Sequence, residues 1–147
     1  MLPLCERLLN LALWLGALGH FCVLGASFQV PRRLGWNEDL PKLTSFNRKL
    51  MYVYSGYTVF TIITFGVLTL LLHDEMLRGE KAATALAVFI AIYWTARIGV
   101  DFLYYEHKDW PQGRQFVVGH ILLTGLFVAL ATAYWAVPIL KVWRAHP

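Results

Sequence analysis

Arg97 and Asp101 stand four residues apart in a run that is otherwise apolar, so on a helix their side chains share one face. An ionisable group at mid-bilayer costs about 2.5–3.5 kcal/mol on insertion scales and persists only with compensation. Two chemistries follow from the pair. As a mutual salt bridge it lets a helix insert and fixes it against its neighbours. As a site, Arg97 supplies a fixed positive charge for a proton relay or a bound anion. Tyr93 and Tyr104 fall on or beside the same stripe and add hydroxyl groups to it. Arg97→Ala is expected to be more harmful than either His20→Ala or His120→Ala, because it leaves Asp101 unpaired.

His20 and His120 are the other candidates. Each taken alone reads as an interhelical hydrogen-bonding group. Taken together, two neutral imidazoles on neighbouring membrane helices can supply the axial ligands of one haem b, with Arg97 available to a propionate. That layout resembles the four-helix membrane cytochromes b, without a residue-by-residue match. A metal ion would have His20, His120 and Asp101 as a minimal set, but no HExxH-type spacing accompanies them. Tyr54, Tyr57, Tyr93, Trp94, Tyr104 and Tyr105, with an arginine at the floor, are a further candidate wall for a quinone or a lipid headgroup. Aromatics near the ends of the runs, such as Tyr52, Trp135 and Trp143, read as interfacial anchors. Phosphate-loop, dinucleotide and Ser-His-Asp signatures are absent, so no catalytic residue is assigned.

The elements that must position these residues follow from composition. The chain has 147 residues, 58% of them hydrophobic and 15% charged, outside the usual range of soluble domains. A bilayer core of about 30 Å needs roughly 20 mostly apolar residues per spanning helix. Such runs occur four times, at about 8–28, 50–72, 82–105 and 116–140. They are continuous rather than alternating, and four segments cannot close a barrel, so the expected fold is an all-α, up-and-down bundle of four transmembrane helices in a single domain, 1–147. Thr44 or Ser45 can cap an early start of the second helix. The first run could instead be a cleaved signal peptide ending near Gly25 and Ala26, but it is long for a signal core and Leu24 stands where a small residue is wanted. It is read as the first membrane helix.

In an up-and-down bundle His20, Tyr54, Ser55, Arg97, Asp101, Tyr104 and His120 fall in one leaflet, with His107 and Asp109 in the connection above, and the opposite leaflet is nearly all apolar. On the fourth helix His120, Thr124, Phe127, Ala131 and Tyr134 make one stripe; on the second, Tyr54, Thr58 and Thr61 make another. Basic residues number seven on the face of the first and third connections (Arg32, Arg33, Lys42, Arg48, Lys49, Lys108, Arg114) and five on the other (Arg7, Arg78, Lys81, Lys141, Arg144). That count leans towards both termini outside the cytoplasm. The formal charge of +4 belongs to loops beside a membrane and does not point to nucleic acid. Cys5 and Cys22 lie on one helix, too far apart to pair.

The function expected first is that of a non-catalytic subunit or assembly factor of a membrane complex, with lipids, other membrane subunits or further copies of itself as partners. In that reading the polar cluster specifies helix packing, and the first connection, with Trp36 and mixed charges, meets the partner. The alternatives are a redox or ligand-binding site in the His20, Arg97, Asp101 and His120 leaflet, and an oligomeric channel or transporter, which the absence of inverted repeats weakens. Short connections and the lack of glycosylation or retention signals suggest a bacterial inner membrane.

Overall fold

The computed structural model describes residues 2–105 and 113–145. Within them the chain folds into α1 (Leu2–Ser27), α2 (Val30–Arg33), α3 (Trp36–Asp39), a 3-10 turn (Leu40–Lys42), α4 (Ser45–Leu71), α5 (His73–Arg78), α6 (Lys81–Leu103) and α7 (Arg114–Ala145), and no strand occurs among the described residues. Four segments are long and apolar enough to cross a membrane: Pro3–Arg33, which joins α1 to α2, and then α4, α6 and α7.

Local chemistry sets the joints. Pro31 lies in the first turn of α2, where its missing N–H costs nothing, and it marks the break from α1. Gly35, at φ 64°, takes the left-handed turn between α2 and α3. Thr44 is the cap of α4, its extended backbone letting Oγ1 accept from the Asn47 amide at 3.4 Å. Gly79, at φ 72°, closes α5 with its N–H on the carbonyls of Glu75 and Met76.

Two expectations about the elements are corrected. The helices outrun the apolar stretches: α1 starts at Leu2 and α7 extends to Ala145, because Glu, Arg and Lys are good helix formers and an apolar count marks only the hydrocarbon-compatible part. The second connection contains α5, whose His73 and Met76 are buried.

Packing joins α6 to α7 most extensively, then α1 to α4 and α1 to α7. Ala83, Ala87 and Ala91, one turn apart on α6, are all buried and let neighbouring backbone come near. Leu13, Ile90, Trp94, Leu130, Tyr134 and Val137 fill the centre. α4 meets α6 through the Phe65 ring, 5.9 Å from Phe89 and 5.1 Å from Tyr93. Over residues 51–60 of α4 only Ser55 and Val59 are even partly covered.

The α1–α4 contact depends on Gly66, where an added Cβ would lie 3.0 Å from the Phe21 ring and 3.4 Å from the His20 Cβ. Gly66→Val is therefore expected to destabilise the protein by about 1–3 kcal/mol through overpacking. Gly56, on the same helix with open space at its Cβ, is the control. Thermal unfolding in mild detergent reads both, and an equal loss from Gly56→Val would mean that helix propensity rather than close approach sets the effect.

Candidate functional site

Side-chain polarity inside the protein is organised in two separate clusters. The first centres on His20, whose residue is fully buried. One turn earlier the Gly16 carbonyl is left open to it, and His20 Nδ1 lies 2.8 Å from that oxygen. Trp94 on α6 donates its indole N–H to His20 Nε2 at 3.1 Å. An indole N–H only donates, so Nε2 accepts, Nδ1 carries the proton, and the ring is held as the neutral Nδ1–H tautomer. Tyr134 Oη is 3.5 Å from the same Nδ1 and 2.6 Å from Thr69 Oγ1. Thr69 donates in turn to the Phe65 carbonyl at 2.7 Å, so it accepts from Tyr134. The cluster therefore links α1, α4, α6 and α7, and the rings of Phe65, Trp94 and Tyr134 surround the imidazole at 5.5–5.8 Å.

Among the described residues the second cluster joins α6 and α7. Asp101 is 8% exposed. Its Oδ1 is 3.4 Å from Arg97 Nη1, while Oδ2 accepts from Thr124 Oγ1 at 3.1 Å and lies 3.2 Å from His120 Nε2. Thr124 and His120 are themselves 3.4 Å apart. Asp101 thus accepts from two side chains, one of them on its own helix, with the His120 ring beside it. The Arg97 guanidinium sits 5.2 Å over the Phe127 ring, and Phe127 stacks on Trp94 with centroids 4.9 Å apart. That ring is the physical link between the clusters.

The residues singled out in the sequence are distributed as follows. Arg97, Asp101 and His120 come together, as the helical spacing and the antiparallel neighbour imply. His20 belongs to the other cluster and touches none of them in a hydrogen bond or ring contact. Tyr93 is partly buried, its ring packed 5.1 Å from Phe65 and 5.3 Å from Trp94. Tyr54 and Tyr104 face outward at 62% and 78% exposure, as does Tyr57, while of the expected aromatic wall Tyr105 lies with its ring 6.0 Å from the Arg97 guanidinium. His107 and Asp109 lie outside the described residues. The α7 stripe of Thr124, Phe127, Ala131 and Tyr134 does face the protein. Thr69, Tyr134 and His73 are buried in the half expected to be nearly all apolar.

A haem does not fit this arrangement. A ligating histidine must present a free nitrogen lone pair to iron, and that of His20 is taken by the Trp94 N–H while its other nitrogen bonds the α1 backbone. The two histidines also lie in different clusters. Among the described residues no three His, Cys, Asp or Glu side chains gather as a metal site. Cys5 and Cys22 are both free thiols.

Trp94, Thr69 and Phe127 are the central residues that sequence reasoning did not single out for these roles. The signal for Trp94 was its position one turn before Arg97 and in register with His20, but an indole in an apolar run reads as packing. The chain matches no protein-family model, no curated protein and no solved structure.

Proposed function

We propose that this chain is an integral protein of a bacterial inner membrane, an up-and-down bundle whose four long helices cross the bilayer, and that it acts without catalysis as a subunit or assembly factor of a membrane complex. In this placement Trp94, near the middle of the 23-residue α6, lies close to the bilayer centre with His20, and Asp101 lies towards one interface. The observation that carries the reading is that no buried side-chain atom of either cluster lacks a partner. Among the described residues, the buried side-chain atoms without a partner are His73 Nε2, Thr84 Oγ1 and Arg144 Nε, and none belongs to either cluster. Polar side chains satisfied by one another specify how helices pack, whereas a reactive site keeps donors or acceptors in reserve.

The partner face expected from this arrangement is the first half of α4, where Tyr52, Tyr54, Tyr57 and Phe60 project away from the other helices. Aromatic side chains of this kind are enriched in the buried centres of protein interfaces. A photoreactive phenylalanine analogue placed at Tyr57, with Leu122 on the outer face of α7 as the comparison site, tests it in native membranes. A discrete protein adduct at Tyr57, stronger than at Leu122, is the expected result. Lipid adducts alone at both positions would overturn the proposal.

A further inference from the structure

Where α1 begins and α7 ends, the two helices and α5 leave an open cleft of about 640 Å³. Three arginines line it, each from a different helix: Arg7 of α1, Arg78 of α5 and Arg144 of α7. Asn10 and Leu77 complete the lining with Glu6, the one acid among its residues. Bringing three guanidinium groups to one opening costs repulsion unless anions offset it; Glu6 pairs with Arg144, and Glu75 and Glu80 pair with Arg78, which leaves Arg7 as the cleft arginine without an acid among the described residues.

The arginines differ in their engagement. Arg144 is held in place, Nη1 donating to the Leu77 carbonyl at 2.7 Å and Nη2 to Glu6 Oε1 at 2.9 Å, while its buried Nε has no partner. Arg78 pairs with Glu80 at 2.9 Å and Glu75 at 3.5 Å, neither of which lines the cleft. Arg7 makes no ion pair among the described residues. Guanidinium groups on separate rigid elements match the spread oxygens of a phosphate and bind them through charge-assisted hydrogen bonds. The cleft also opens at the ends of the membrane-length helices, the level at which headgroup phosphates lie.

We propose that this cleft binds a phosphate group, presented by the headgroup of an anionic phospholipid. Inorganic phosphate is the other source of the same chemistry, and the test separates them. The full chain in non-ionic detergent is unfolded thermally with dioleoylphosphatidylglycerol, with dioleoylphosphatidylcholine, or with inorganic phosphate. The anionic lipid is expected to raise Tm by about 5 °C at saturation, and the zwitterionic lipid to leave it unchanged. The double variant Arg7→Gln/Arg78→Gln should lose most of that rise, while Arg48→Gln/Lys49→Gln at the start of α4 should keep it. Both cleft residues are exposed, and Arg7→Gln alone gives the same reading if the double variant fails to fold. A rise with inorganic phosphate that matches the lipid's keeps the site and assigns it to free phosphate. No rise with either, an equal rise with phosphatidylcholine, or an equal loss in the α4 variant would overturn the proposal.

Discussion

Asp101→Ala is expected to destabilise the protein by about 3–5 kcal/mol, the size seen when one partner of a buried charge cluster is removed. Asp101 accepts from Arg97 and Thr124 and lies beside His120, so its loss strands a guanidinium in a helix that has no other acid. Arg97→Ala should cost less. Without Arg97 the carboxylate keeps the Thr124 hydroxyl at 3.1 Å and the His120 imidazole at 3.2 Å. Unfolding of the purified variants by graded denaturant in detergent measures both. A loss from Asp101→Ala smaller than from Arg97→Ala would show that the guanidinium, not the carboxylate, organises this cluster.

Trp94→Ala is expected to cost about 3–5 kcal/mol, since it empties a site that is 1% exposed and removes the ring stacked on Phe127. The hydrogen bond can be separated from the volume. Trp94→Phe keeps most of the ring but leaves His20 Nε2 buried without a donor, at a cost of about 1–3 kcal/mol. Adding His20→Leu to Trp94→Phe should then recover part of the loss, because an apolar pair has nothing left to satisfy. A double variant that loses the full sum of the two single changes would show that the indole and imidazole are not coupled, and the tautomer assigned to His20 would fall with it.

Much of the architecture was legible because its causes are local. Apolar runs of spanning length marked the four long helices, Thr44 marked the start of α4, and the spacing of Arg97 and Asp101 marked a shared face. The orientation of those faces was far less legible. Where both the protein interior and the surrounding lipid are apolar, a stripe of aromatic residues does not say which side it meets. Tyr54, Tyr57 and Tyr104 were expected inside and point outward. The threonines of α4 misled for a related reason: Thr58 donates to the Tyr54 carbonyl of its own helix at 3.0 Å, which satisfies the hydroxyl without any neighbour. His20 was found as a residue but not in its role, since its partners depend on the axial register of α1 against α6 and α7. That register comes from close packing at Gly16 and Gly19 against Tyr134 and Leu130, which no single-helix pattern contains.

The separation of His20 from its partners along the chain bears on how the protein is made. Trp94 and Tyr134 follow it by 74 and 114 residues. At about 5–20 residues per second, a ribosome needs several seconds to supply the indole and longer to supply the phenol. During that interval α1 has an imidazole whose one local partner is the Gly16 carbonyl. The nascent chain therefore passes through a stage in which the His20 imidazole is exposed, its contacts to α6 and α7 not yet made. A product truncated before α6 would keep that exposed imidazole as a mark of incompleteness.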